Sequence, residues 1–325
     1  MSREFDLIAR YFTWPVPEGM LGVGDDCALV PVTPGYQLAT STDLLIEGRH
    51  FFSHVDPAAL GHKSLAVNIS DLAAMGAEPL VCLLSLSLPE INESWLAQFA
   101  AGFRRLAQQT GCALVGGDTT QGSAIVINVT VLGQVKPEQA LRRSAARLHD
   151  DIWVTGHLGA PDIALELLQR PDTLPPAERA LLRSIRDTLE KPQPPWQFGA
   201  ALAGIAHAAI DISDGLLQDL GHILAASRCG ATLYYSNLPA HPALHSLNAA
   251  RLEQALLCGG DVYQLCFTAS PDQAAAIGRL GARLNVPLAR IGTIQREPGI
   301  RLLNGEHAGA RSMPLPEHRG FSHFD

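Results

Sequence analysis

The sequence predicts an α/β (α+β) protein of two domains. Three observations predict it. Apolar periodicity alternates between strand and helix repeats along the whole chain. A charged stretch, residues 133–151, interrupts that alternation once. A chain of 325 residues, 47% hydrophobic and 17% charged, can supply two cores at roughly 150 residues each.

Each element has a local reason. Residues 36–42 read as a strand. Asp56-Pro57 opens a helix, the acid as N-cap and the proline in the first turn. Leu60, Leu65, Ile69 and Leu72 carry it, and Gly76 stops it. Residues 80–88 are a strand. Residues 93–110 form an amphipathic helix with Trp95, Leu96, Phe99, Phe103 and Leu106 on one face. Residues 112–115 read as a short buried strand ending at Gly116-Gly117-Asp118, and 125–132 alternate as another. Lys136, Glu138, Arg142, Arg143 and Arg147 mark the break, which divides the chain into residues 1–140 and 141–325. Beyond it, strands are expected at 152–155, 208–212, 232–235, 262–268 and near Ile291. Helices are expected within 161–170 and 177–189, after the proline-rich turn 191–195, within 215–226 and near Ala274.

Charge and cysteine usage exclude several classes. With 24 Lys plus Arg against 32 Asp plus Glu, the net charge is -8, which argues against a nucleic-acid partner. An anionic substrate must then be attracted locally, by cations or backbone dipoles. No apolar run reaches the roughly 18 residues of a membrane helix. The acids near Met1 do not resemble a signal peptide. Six cysteines without a CxxC pair point to buried, inert thiols and a cytoplasmic location.

The chemistry lies in where the aspartates fall. Asp25-Asp26 is flanked by glycine, Ser41-Thr42-Asp43 is read as a strand end, and Asn68 and Asp71 share a helix face. Gly116-Gly117-Asp118-Thr119-Thr120 is read as another strand end, and Asp211-Ile212-Ser213-Asp214-Gly215 joins a strand to a helix. Any one of these alone reads as a cap or a turn. Five together would repel unless cations neutralised them, and carboxylate oxygens suit Mg²⁺ with substrate phosphates. Glycines beside them let backbone amides approach phosphate. The chain has no P-loop, dinucleotide fingerprint, kinase catalytic loop, nucleophile elbow or HExxH.

These segments, with Glu47-Gly48-Arg49-His50-Phe51, Asn68-Ile69-Ser70-Asp71-Leu72-Ala73-Ala74-Met75-Gly76 and Arg143-Ser144, closely resemble the thiamine-monophosphate kinase family. The resemblance runs in order over nearly the whole chain and is weakest at 1–20, 171–200 and 296–318. The wider group includes aminoimidazole ribonucleotide synthetase and selenophosphate synthetase. The resemblance implies an N-terminal α/β domain forming a barrel-like core in a homodimer, and a C-terminal α+β domain. It implies ATP-dependent phosphorylation of thiamine monophosphate, the last step of thiamine diphosphate synthesis. It implies several Mg²⁺ ions held at Asp26, Ser41, Thr42, Asp43, Asp71, Asp118, Asp211 and Asp214, with Asp71, Asp118 and Asp211 catalytic. ATP is expected at Gly117, Asp118, Arg143 and Ser213, and thiamine phosphate at His50, Asp261 and Phe321. Another ATP-using synthetase of the group, or a non-catalytic binding regulator, are the competing readings.

One segment departs from the family. Its usual Gly-Gly-Glu-Asp-Tyr-Glu-Leu stands here as Gly259-Gly260-Asp261-Val262-Tyr263-Gln264-Leu265, with two carboxylates lost and one shortened. The closing Gly-Tyr-Asp-His-Phe stands as Gly320-Phe321-Ser322-His323-Phe324. The expected consequence is a weaker hold on the thiamine moiety.

Overall fold

A computed structural model describes residues 6–318, 320 and 321. Ser322, His323 and Phe324 of the closing segment lie outside the described residues. The chain divides into two compact units, one of residues 1–72 and 77–138, the other of residues 73–76 and 139–325.

The first unit holds β1 (Gln37–Ile46), β2 (Glu78–Leu88), β3 (Ala113–Gln121) and β4 (Val126–Val135) in the order β1-β4-β2-β3. Only the β2–β3 pair is parallel. Helices α1 (Pro57–Ala74) and α2 (Glu93–Thr110) cover one sheet face. Their caps are those the sequence indicates. Asp56 Oδ1 accepts the Ala59 N–H at 2.8 Å, Asn92 Oδ1 accepts that of Trp95, and Gly111 closes α2 at φ 71°. The helices touch at glycine, since a Cβ on Gly102 would run into the Ala58 carbonyl. The opposite sheet face is left open among the described residues. Leu38 and Leu44 of β1 are 46% and 48% exposed there.

Two expected strand ends are strand interiors. β1 runs past Ser41-Thr42-Asp43 because Leu44, Leu45 and Ile46 continue its pairing with β4. β3 runs through Gly116-Gly117-Asp118-Thr119-Thr120 because each pairs with β2 after a bulge at Val115.

The second unit is built on a seven-stranded sheet. In chain order its strands are β5 (Asp151–Thr155), β6 (Ala208–Asp211), β7 (Gly230–Tyr234), β8 (Leu265–Ala269), β9 (Leu288–Gln295), β10 (Gly299–Leu303) and β11 (Ser312–Met313). Their spatial order is β11-β10-β7-β9-β5-β8-β6. Its helices are α3 (Ala160–Leu168), α4 (Pro176–Glu190), α5 (Trp196–Leu202), α6 (Leu216–Ser227), α7 (Ala249–Cys258) and α8 (Ala274–Leu284). One core joins Ile210, Leu216, Leu220, Leu256 and Cys266, and a second joins Phe198, Phe267, Ile277 and Leu280. The cysteines are all free, but they are not uniformly buried. Cys27 is exposed because it sits in the acidic loop, and Cys229 is half-buried just after α6.

Candidate active site

In the first unit, strand alternation decides which predicted residues meet. Ser41 and Asp43 share the helix side of β1. Ser41 Oγ donates to Asp71 Oδ2 of α1 at 2.5 Å. Burial pushes the Asp43 carboxyl up to about 7, and the Asp71 carboxylate adds to the rise. Asn68, one turn before Asp71, is buried. Its amide donates to Ser64 O, while its Oδ1 has no hydrogen-bond partner among the described residues. Thr42 points the other way. Its hydroxyl lies 3.0 Å from both Thr130 Oγ1 and Asn128 Nδ2. It is therefore removed from the hydroxyl and carboxylate group it was expected to join, because successive strand residues face opposite sides.

The remaining first-unit residues stand apart. Asp118 pairs with Ser85, which pairs with Asn128, so the register puts Asp118 on the Thr42 side of the sheet. β1 and β3 are opposite edges, three strand spacings or about 14 Å apart. Gly117 beside it has φ 153°, and a Cβ would strike the Leu84 carbonyl, so glycine is required. Asp26 is exposed in a loop closed by reciprocal Leu21–Leu29 backbone bonds of 3.0 Å. His50 lies in the turn after β1. Its Nδ1 accepts the Ile46 N–H at 3.0 Å, which assigns the ring proton to Nε2 in the neutral form.

In the second unit the predicted residues converge. Buried Asp211 ends β6, and the turn Ser213-Asp214-Gly215 leads into α6. A second loop, residues 259–264, is laced to it. Asp261 N donates to Ser213 O, Tyr263 N to Ile212 O and Ile212 N to Gln264 O, each at 2.8 Å. Phe321 N donates to Asp214 O at 3.0 Å. Gln218 Nε2 donates to both Asp214 Oδ2 and Phe321 O. Ser213, Asp214, Asp261 and Phe321 thus belong to one hydrogen-bonded constellation, which Asp211 adjoins from the end of β6. Asp261 and Tyr263 hold φ of 59° and 51°, a left-handed conformation uncommon outside glycine, and Tyr263 Oη donates to Asp261 Oδ1. Arg143 is exposed and has no ion pair among the described residues.

The altered loop is compensated rather than damaged at two of its three positions. Val262 is 5% exposed and packs in the core with Leu256 and Cys266, so it does not stand in for a ligand-facing carboxylate. Gln264 accepts from Thr155 Oγ1 at 2.8 Å and donates to Gln193 O at 2.9 Å. A glutamate could make the first bond but not the second. Only Asp261 remains as a substrate candidate among the three.

Two further acids lie here outside any recognised motif. Asp219, on the first turn of α6, is 3% exposed, and its Oδ2 accepts the N–H groups of Ser213, Asp214 and Gly215, each at 3.0 Å. Burial pushes its carboxyl up to about 7, with the Asp214 carboxylate adding and the three N–H donors opposing. An acid four residues past a Ser-Asp-Gly turn is the sequence signal that could have marked it. Asp162, near the start of α3, packs on Gly259 beside Asp261. It has no such motif.

Cation binding is testable from the donor set. Among the described residues, no three His, Cys, Asp or Glu side chains form a preassembled metal cage. Mg²⁺ needs none. It is held by one or two carboxylates, with substrate phosphates and water completing the shell. Asp43 and Asp71, with the Ser41 hydroxyl and the orphaned Asn68 oxygen close by in the fold, are hard oxygen donors whose mutual repulsion a cation would remove. The residues fit Mg²⁺ accompanied by a nucleotide.

Comparison with known proteins places this arrangement. Residues 24–135 match the AIR synthase related protein N-terminal domain, and residues 168–303 the corresponding C-terminal domain. The chain is 42% identical over 298 residues to a thiamine-monophosphate kinase of Escherichia coli (strain K12), covering 89% of each chain. It is 45% identical to the crystal structure of thiamine-monophosphate kinase from Stenotrophomonas maltophilia K279a, with TM-score 0.83 over 90% of this chain and 93% of that one. A structure of AaThiL complexed with AMPPCP and TMP aligns at 29% identity and TM-score 0.76, over 90% and 89% of the two chains. With identity at this level spanning both units, the chain belongs to the thiamine-monophosphate kinase family of AIR synthase related proteins.

Proposed function

We propose that the protein transfers the γ-phosphoryl group of ATP to thiamine monophosphate, giving thiamine diphosphate and ADP. The observation that carries this reading is the match to thiamine-monophosphate kinases across 89% of the chain. A relative with the same fold was solved with AMPPCP and TMP, which extends the reading to an ATP-type nucleotide and thiamine phosphate together.

The chemistry asks for little proton transfer. The acceptor is a phosphate monoester whose second pKa is about 6, so at neutral pH it is largely dianionic and needs no general base. The barrier lies in bringing that anion to polyanionic ATP. Mg²⁺, when bound, supplies charge neutralisation, and Ser41, Asp43 and Asp71 are the residues that would hold it in the first unit. Asp211 and Asp214 are the corresponding carboxylates of the second unit, with Asp26 and Asp118 as further donors. Asp71, Asp118 and Asp211 are the proposed catalytic carboxylates. Gly117, Asp118, Arg143 and Ser213 serve the nucleotide. Arg143 suits phosphate, which guanidinium binds bidentately. His50 can donate Nε2–H to the substrate phosphate, Asp261 can accept from the substrate, and the Phe321 ring can stack on its pyrimidine. The acceptor oxygen forms its bond to the γ-phosphorus as the bond to the bridging oxygen breaks, and ADP leaves with that electron pair.

Chromatographic analysis of purified protein with Mg·ATP and thiamine monophosphate should show thiamine diphosphate and ADP, with inversion at phosphorus. ATP consumption without thiamine diphosphate would sink the assignment. We also propose a symmetric homodimer seated on the uncovered face of the first unit's sheet, where Leu38 and Leu44 are exposed. Sedimentation at micromolar concentration should give twice the 34.7 kDa chain mass, and a stable monomer would refute the pairing. No helix among the described residues is long and apolar enough to cross a membrane. With six free thiols, a cytoplasmic location is the reading we favour.

A further inference from the structure

A glycine-flanked turn entering a helix ordinarily offers its N–H groups to a phosphate. In this chain those groups are already taken. The N–H groups of Ser213, Asp214 and Gly215 all point at one oxygen, Asp219 Oδ2. The acceptor comes from the helix that the turn introduces, so the first turn of α6 is capped from within. Gly215 makes the geometry possible. It holds φ 128°, and a Cβ there would come 2.5 Å from the Cys258 carbonyl oxygen.

The turn is also a junction. The Ser213 carbonyl accepts from Asp261 N, and the Asp214 carbonyl accepts from Phe321 N. Each of the first two residues tied by Asp219 therefore passes its position to a residue assigned to the substrate. A shift of the turn would move Ser213, Asp214, Asp261 and Phe321 together.

We propose that Asp219 is a positioning residue for phosphoryl transfer: its carboxylate fixes the Ser213-Asp214-Gly215 backbone and, through it, the alignment of Asp261 and Phe321. This rests on the kinase reading above. It carries a second consequence. The N–H groups of residues 213–215 are not offered to a nucleotide phosphate, so these residues contribute to ATP and cation binding through the Ser213 and Asp214 side chains.

Two substitutions and two readouts test it. Asp219→Asn keeps the shape and one acceptor oxygen but loses the charge, while Asp219→Leu removes the acceptor. Hydrogen exchange, followed by mass spectrometry on unliganded protein, should show faster exchange in Asp219→Asn at residues 213–215 and also at 261 and 263, with β5 and β9 unchanged. Steady-state kinetics should show kcat lowered about tenfold in Asp219→Asn and about a hundredfold in Asp219→Leu. Thermal unfolding identifies the folded variants, and if Asp219→Leu does not fold, Asp219→Asn decides alone. A folded Asp219→Asn with parental exchange at 261 and 263, or with kcat within twofold of the parent, would overturn the proposal. Absence of thiamine diphosphate formation by the parent protein is a separate failure, of the kinase reading, and the exchange result would still test the coupling.

Discussion

Asp71→Asn is expected to lower kcat by about two to three orders of magnitude while leaving the folded state as stable as the parent. The two halves of that expectation have different origins. Asp71 lies beside Asp43, whose carboxyl is raised by burial and by the Asp71 charge. In metal-free protein the substitution removes one of two repelling charges and keeps an oxygen to accept from Ser41 Oγ. Stability should hold or rise slightly. Turnover depends on the opposite property. Bringing a dianionic acceptor to ATP needs a cation held in place, and loss of a charge-stabilising group of this kind costs about 3–4 kcal/mol of transition-state stabilisation. Steady-state kinetics at saturating Mg²⁺ and calorimetric unfolding of the same preparation separate the two. Turnover near the parent rate would leave Asp71 as no more than the acceptor that fastens Ser41 to α1.

How far the sequence reveals this site depends on the range of the interaction. Local chemistry was legible. Asp56 and Asn92 cap their helices, Gly76 and Gly111 end them, and the Trp95–Leu106 stripe of α2 faces the core. The ends of β1 and β3 were misplaced because Ser, Thr, Asp and Gly are turn formers by propensity. Here they are held in strands by β4 and β2, a decision made by partners distant in sequence. The strand's true length bears on Thr42. Once residues 37–46 are one strand, alternation alone sends its side chain away from Ser41 and Asp43. α7, β10 and β11 were not anticipated. The first is a ten-residue helix of mixed polarity, and β11 is only two residues long. The lacing of residues 212–214 to residues 261–264 and Phe321 could not be read from spacing, since each bond joins segments about 50 to 107 residues apart. Asp219 lay within local reach, four residues past Gly215, but a single acid in a helix's first turn reads as an ordinary helix-dipole partner.

Asp162→Asn is expected to stabilise the protein at pH 7.5 and to have almost no effect at pH 4. Asp162 is half-buried near the start of α3. Burial pushes its carboxyl up to about 6, the Glu166 and Asp261 carboxylates add to the rise, and Arg251 opposes it. Arg251 is only partly available for that task, because its guanidinium already holds Glu166 at 2.8 Å and Glu178 at 3.2 Å. The sign follows from linkage. The folded-state value lies above the ordinary 3.8, so the folded protein binds this proton more tightly than the unfolded chain does. Below pH 3.8 both states are protonated and the contribution to stability is fully present. It is lost as the pH rises through about 6, where the folded state must carry an ionised, poorly solvated carboxylate. Asparagine mimics the protonated form at every pH. A rise of about two units corresponds to about 3 kcal/mol at 1.36 kcal/mol per unit, and partial exposure reduces this to about 1–2 kcal/mol. Urea unfolding of parent and variant at the two pH values measures it. An equal gain at both would assign the effect to packing against Gly259. A loss at pH 7.5 would mean that the Asp162 charge is used, with Arg251 rather than solvent as its counterpart.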